Sequence, residues 1–414
     1  MLINLQIYIK LIFCLYILFS LTTLRLTFDL FFLSRAVNIF IFLSPFLVLL
    51  LYKDIAKTHK KDVVFILLSC LLITSFLVNP IINGFSLGSL IKSINASLPW
   101  LYVILFAFVR FQKEFFYDCW KLLNNILFLL TVFGLFDYVN IFYLGNVPEV
   151  SQTDYGDFFL GSFTILHSVT ETIPHFRFYG PFVEPGSFAM WALVLTFYNF
   201  YEKKYIMALV FLIASILTFS PSIFIGFGLL LFLSLFIKSS KEIFLIKSMC
   251  VLFFVSVIAV YFSEITALFD AVLLNKSTSF GERFDSMRYF FEELPSLAQK
   301  YPFGLEYFQN TDDKLSTGLN LIGNFTPIMA FENGGVMAFV AYILILSLFF
   351  FQAQAFFLKH LDNHLLYYAI YFFIFLSFII QRNSIFETII FPFLFGFLFY
   401  SAYDNKIFNN NTKF

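Results

Sequence analysis

The sequence predicts an all-α polytopic membrane protein with about 12 transmembrane helices, two long external loops containing short helices, and both termini cytoplasmic. Three observations predict it: composition, the spacing of apolar windows, and the side on which basic residues collect. Of 414 residues 60% are hydrophobic and 13% charged, and the mean hydropathy is +0.86. Soluble domains carry about 25% charge, so a soluble globular class is excluded. Net charge is zero, which gives no electrostatic case for nucleic acid as a partner.

A bilayer-spanning helix needs about 20 mostly apolar residues. Windows of that kind fall near 3–24, 36–52, 62–78, 94–111, 121–144, 187–201, 204–220, 222–237, 245–263, 326–351, 364–380 and 385–401. The first reads as an uncleaved span, because no small-residue cleavage site follows it. Lys10 lies inside it and must snorkel or face protein. Lys53, Lys57, Lys60 and Lys61 follow the second window, Arg110, Lys113 and Lys121 the fourth, and Lys203 and Lys204 the sixth. Lys238, Lys241 and Lys247 follow the eighth, and Lys359 the tenth. Positive loops stay cytoplasmic, so this alternation sets the orientation; Arg25 and Arg35, after the first window, are its one exception.

The resulting organisation has the first five helices over 1–144, a first external loop over 145–186 and four helices over 187–263. A second external loop covers 264–325, and three helices with a cytoplasmic tail cover 326–414. Connections as long as these two loops are usually functional or disordered, and their mix of aromatics with isolated charges favours function. The chemistry is therefore expected on the external face of the cytoplasmic membrane. Cys14, Cys70, Cys119 and Cys250 form no CxxC and support neither disulfides nor a metal site. No P-loop, GxGxxG or zinc pattern is present, so no cofactor or metal is expected.

The first loop ends in Arg177-Phe-Tyr-Gly180-Pro-Phe-Val-Glu184-Pro-Gly-Ser, running into a span. Pro185 suits the first position of a helix, where its missing N–H costs nothing. Glu184 has two readings: an acid stabilised by the helix dipole, with Gly180 and Gly186 serving a turn, or a functional group. Arg177 and Glu184 sit at or just above membrane depth, where ionisable groups default to functional candidates. His167 and His175 belong to no recognisable triad, and Asp312-Asp313 lacks further ligands for a metal.

In the second loop Phe284, Met287, Phe291 and Leu294 recur on one face of a short amphipathic helix, which Pro295 is expected to end. Arg288 has Asp285 three residues before it and Glu292 four after, the spacing of a surface ion pair. Arg283 has no acid at those spacings, and its planar fork suits an external phosphate. Arg382, at the outer end of the eleventh span, reads as a headgroup anchor or a third anion contact.

These elements resemble a family. Arg177-Phe-Tyr-Gly180 followed by Phe182-Val-Glu184-Pro185 resembles the R-x-x-G-x-F-x-E-P segment that opens a mid-chain span in Wzy-type polysaccharide polymerases, of the O-antigen ligase and polymerase superfamily. Ser279 to Arg283, then Tyr301-Pro302-Phe303-Gly304, is similar to that superfamily's arginine region and its P-x-x-G-x-G element. Asn324, Glu332 and Gly334 have the spacing of its H-N…E-x-G segment. The resemblance runs from about Arg177 to Ala338 and departs at two places. Gly323 stands where ligases carry a histidine, and Leu305-Glu306 replaces the second glycine, which favours the polymerase branch.

The resemblance implies a glycosyltransferase that joins undecaprenyl-pyrophosphate-linked oligosaccharide repeat units into O-antigen or capsular polysaccharide. Lipid-linked donor and acceptor, membrane lipid, a chain-length regulator and a flippase are the implied partners. Arg177, Arg283 and Glu184 would be catalytic, with Arg288, Arg382, Asn324, Glu332 and Gly180 binding substrate. The alternatives are an O-antigen ligase and a lipid-linked oligosaccharide flippase or transporter; a transporter would place polar groups in broken spans near the midplane.

Overall fold

In the computed structural model the described residues are 2–18, 43–45, 47, 60–108, 113–144, 150–153, 156–160, 163–168, 176–182, 185–218, 277–305 and 326–359. They form eight named helices: α1 (Leu2–Tyr16), α2 (Lys60–Asn83), α3 (Leu87–Phe108), α4 (Lys113–Leu144), α5 (Pro185–Tyr201), α6 (Tyr205–Leu217), α7 (Ser277–Lys300) and α8 (Thr326–Lys359). Between α4 and α5 lie four strands: β1 (Val150–Thr153), β2 (Gly156–Leu160), β3 (Ile165–Ser168) and β4 (Phe176–Phe178).

The protein is a helical membrane protein. Among the described residues four helical stretches are long and apolar enough to cross a bilayer: Val63–Asn83, Leu87–Phe108, Phe115–Ile141 and Ile328–Leu348. Leu5–Leu15, Phe188–Phe200 and Tyr205–Leu217 are shorter apolar helices. The expected spans at 222–237, 245–263, 364–380 and 385–401 lie outside the described residues, as does nearly all of 36–52.

Two helices exceed their apolar windows for local reasons. Asn79 and Pro80 dilute the hydropathy of α2, yet the helix continues through Pro80 to Asn83. Helix α3 begins at Leu87 because Ser86 and Ser89 cap it reciprocally, each backbone N–H donating to the other's hydroxyl at 3.0 Å. Ser93 and Ser97 lower its hydropathy but are buried, and the Ser97 hydroxyl donates to the Ser93 carbonyl at 2.8 Å.

Lys10 resolves its burden by facing protein: its ammonium pairs with Asp118 of α4 at 2.5 Å and lies 5.8 Å from the Phe115 ring centroid. Deeper in the bundle, Asn124 of α4 and Asn199 of α5 exchange amide hydrogen bonds of 3.1 and 2.6 Å, both side chains fully buried. Such pairs hold transmembrane helices together where lipid offers a polar group no partner.

The first long loop departs from expectation. It carries an antiparallel four-stranded meander, in the order β1-β2-β3-β4, rather than short helices. Runs of aromatic and β-branched residues such as those of β2 and β3 pair their backbone groups by laddering. At three to five residues each, the strands are too short for alternation to reveal them in sequence. The sheet seats on α4, where Phe163 stacks on Phe133 with centroids 5.0 Å apart and donates its N–H to Asp137 at 2.5 Å.

In the second loop the expected helix exists but Pro295 does not end it; α7 continues to Lys300 with Pro295 inside. Phe290 and Leu297 of its buried face, with Leu294 beside them, pack against Leu305, Ile328 and Phe331. That apolar contact outweighs the single backbone hydrogen bond that the proline removes. It lies beside the main core, which joins α1 to α6 with Ala330, Ala338, Ala341, Tyr342 and Ile345 of α8, while Val336 and Phe339 of the same helix pack against the α7 cluster.

Candidate functional site

Two groups of sequence-predicted residues acquire a definite geometry. The first is built on β4 and the turn after it. Arg177 is 5% exposed, and its Nε donates to the Thr218 carbonyl at 3.0 Å. Thr218 caps the C-terminal end of α6, so the guanidinium sits where the helix dipole is negative and the last carbonyls lack helical partners. Phe178 anchors the strand between Tyr138 and Phe188, edge to face at 5.8 and 5.4 Å.

Gly180 turns the chain with φ 56°, and a Cβ there would lie 2.8 Å from the Phe188 ring. Only glycine meets both conditions. Pro185 opens α5, as its sequence position predicted; Glu184 itself lies outside the described residues.

The second group joins segments that sequence alone kept apart. The turn Tyr301–Leu305 lies against α8 where that helix breaks at Gly335, which has φ 71° and ψ −158°. The Leu305 N–H donates to the Glu332 carbonyl at 2.8 Å and the Val336 N–H to the Pro302 carbonyl at 3.2 Å. A Cβ on Gly335 would overlap the Pro302 carbonyl, and one on Gly304 (φ 94°) would come within 2.5 Å of the Glu332 carbonyl. The two glycines thus permit a backbone-to-backbone clasp that no other residue type would allow.

Helix α2 closes the clasp. Asn79 Nδ2 donates toward three carbonyls, Leu305 at 3.2 Å, Glu332 at 3.1 Å and Asn333 at 3.0 Å. Asn83 Nδ2 donates to the Gly304 carbonyl at 2.9 Å and to Asn79 Oδ1 at 3.2 Å. Sequence reasoning missed Asn79, Asn83 and Gly335. The signal was present: an Asn one turn before another Asn at the end of an apolar run is costly unless partnered.

The remaining candidates divide. Arg283 lies on α7 upstream of the clasp. Arg288, on the same helix, is exposed and pairs with Glu292 at 2.8 Å, as its four-residue spacing predicted. Glu332 is half-buried. Asn324 and Arg382 lie outside the described residues. Among the described residues no group of three or more His, Cys, Asp or Glu side chains could hold a metal.

The arrangement packs α7, which bears Arg283 and Arg288 in its sequence, beside the stretch of α8 that bears Glu332. No family model, curated protein or solved structure matches the chain.

Proposed function

We propose that the chain is a glycosyltransferase that polymerises undecaprenyl-pyrophosphate-linked oligosaccharide repeat units on the external face of the cytoplasmic membrane. The observation that carries this reading is the clasp. Tyr301–Gly304 and Glu332–Gly335, two separate segments of the family-like pattern, meet beside the helix that bears Arg283 and Arg288.

In this reading an acceptor sugar hydroxyl attacks the donor's anomeric carbon, the carbon–oxygen bond to pyrophosphate breaks, and undecaprenyl pyrophosphate leaves. The pyrophosphate already activates the sugar, so no nucleotide is required. Arg177 and Arg283 stabilise charge growing on the leaving group, a preorganised contact worth roughly 3 kcal/mol per donor. Glu184 accepts the hydroxyl proton, and one base suffices for an inverting displacement. Arg382, Asn324, Glu332 and Gly180 line the donor and acceptor path, and Arg288 keeps its surface pair with Glu292.

The test is the glycan profile of a deletion strain. A polymerase predicts that the long-chain ladder collapses to a single repeat unit displayed outside. A retained ladder ends the proposal. Reconstitution with purified lipid-linked repeat units then checks the activity directly.

A flippase or transporter for the same lipid is the second reading, and one observation favours it: α8 breaks at Gly335, inside a candidate membrane span. The break lies three residues from Ala338, the centre of the 21-residue stretch Ile328–Leu348, the depth at which a transport site is expected. Flippase loss would strand repeat units on the cytoplasmic leaflet, whereas polymerase loss exposes them outside.

A further inference from the structure

We infer that α7 and the Tyr301–Leu305 turn form a lipid-facing edge of the second long loop. Phe291, Pro295, Pro302 and Phe303 lie among the acyl chains of the leaflet that holds the end of α2 and the start of α3. The edge is independent of the reaction proposed above and holds whatever chemistry the chain carries out.

Depth is the first ground. The apolar stretches Val63–Asn83 and Leu87–Phe108 end and begin on either side of one short connection, which therefore marks one face of the bilayer. Asn79 lies four residues before that end, about 6 Å inside it at roughly 1.5 Å per residue. The Leu305 carbonyl accepts from Asn79, and the Gly304 carbonyl accepts from Asn83. The turn's other partners, Glu332 and Val336, belong to the apolar stretch Ile328–Leu348. The turn is thus level with the end residues of α2 rather than raised above them. Ile81, Ile82, Phe85 and Leu87 lie at the same end of the bundle and are all exposed, the composition of a surface that meets lipid.

The second ground is the main chain. Tyr301, Pro302, Gly304 and Leu305 pair every backbone N–H and C=O group they have. The Tyr301 N–H donates to the Leu297 carbonyl and the Gly304 N–H to the Tyr301 carbonyl. The Pro302 carbonyl accepts from the Val336 N–H, and the Leu305 N–H donates to Glu332. The two asparagines take the remaining carbonyls. A turn in water leaves such groups to solvent, whereas irregular backbone at membrane depth must satisfy them within the protein.

The third ground is the face that α7 turns away from α8. Phe290, Leu294 and Leu297 pack toward α8. Phe291, Pro295, Ala298 and Pro302 follow at steps of four, three and four residues, a stripe beside the packed one that runs on into the turn. Phe291 is 48% exposed and Phe303 40%, and both prolines are exposed as well. The rest of the circumference is exposed and polar: Arg288, Glu292, Glu293, Ser296, Gln299 and Lys300. An uncovered apolar stripe beside a charged arc is the pattern of a helix lying in the bilayer interface.

The experiment uses the full chain in vesicles of phosphatidylethanolamine and phosphatidylglycerol, with Cys14, Cys70, Cys119 and Cys250 replaced. Single spin labels are placed by Phe291→Cys, Phe303→Cys, Glu293→Cys and Gln299→Cys, with Leu344→Cys, on an exposed position of a span, as the lipid reference. Oxygen concentrates in lipid and a nickel chelate stays in water. Oxygen should therefore speed relaxation at 291 and 303 as it does at 344, while the chelate acts at 293 and 299. Where a labelled variant does not fold, the unaltered protein in vesicles whose phospholipid carries an acyl-chain diazirine should give adducts within 291–303 as well as within 328–348.

Chelate access at 291 and 303 equal to that at 299 would place the edge in water and overturn the proposal. Silence of both reagents at 291 and 303 also overturns it, because protein then covers the stripe. Oxygen-only access at 293 and 299 removes the two-sided helix, and adducts confined to 328–348 remove the lipid contact.

Discussion

The side-chain amide of Asn79 and the main-chain carbonyl of Glu332 lie 3.1 Å apart across 253 residues of sequence. That contact ties a helix near the start of the chain to the segment expected to hold substrate. It shows how the candidate site is assembled: α2 supplies the amide donors, and the turn after α7 and the part of α8 just before its break supply backbone acceptors.

Arg177 and Arg283 should separate on stability. Arg177→Ala leaves the end of α6 without its buried cationic donor, a loss of about 1.5–3 kcal/mol, and should lower the melting temperature of the detergent-solubilised protein together with long-chain glycan. Arg283→Ala should remove long-chain glycan while melting stays unchanged. Identical melting for both would assign Arg177 no anchoring role.

Arg288→Ala should be nearly silent. Its partner Glu292 is 60% exposed and Arg288 71%, so the pair contributes a few tenths of a kcal/mol at most. Chain-length distribution and melting should both match the unaltered protein. A collapse of the ladder would place Arg288 on substrate instead.

Gly180→Ala should destabilise by about 1–3 kcal/mol, through a left-handed backbone and a methyl pressed on the Phe188 ring. Adding Phe188→Leu should recover part of that loss, because space is one of the two penalties and φ the other. A thermal-denaturation double-mutant cycle measures the split, and full recovery would mean the backbone carries no strain.

Asn124→Leu should cost about 1–3 kcal/mol by leaving the buried Asn199 Oδ1 without the donor that Asn124 supplies, while Asn199 Nδ2 keeps the Leu195 carbonyl; Asn124→Leu with Asn199→Leu should cost less than either single change. The readout is again melting of the solubilised protein. Additive losses would show that the two amides act independently.

How much could be read from the sequence depended on how far each partner lay along the chain. The Arg288–Glu292 pair was legible because four residues on a helix are one turn. Pro185 at the start of α5 was legible for the same local reason. Apolar windows located the spans within α2, α3, α4 and α8, but their ends followed rules that hydropathy ignores: a serine capping box at Ser86 and Ser89, and a proline carried inside α2.

The partner of Arg177 is 41 residues away at a helix end, and that of Asn79 more than 200 away on backbone rather than side chains. Backbone acceptors leave no mark in a sequence. The two glycines of the clasp were visible as letters, yet only their contacts with Pro302 and Glu332 explain why they must be glycines. The meander of the first loop was hidden because its strands are shorter than one clear alternation.

The ion pair between Lys10 and Asp118 has a consequence for biosynthesis. Its members are 108 residues apart, so at ribosomal speeds the ammonium waits roughly 5–20 s for its carboxylate. During that interval α1 lacks the ion pair that fixes it against α4. The final packing of α1 against the bundle therefore forms only once α4 has been made, so the two helices mature as a pair despite their distance in the chain.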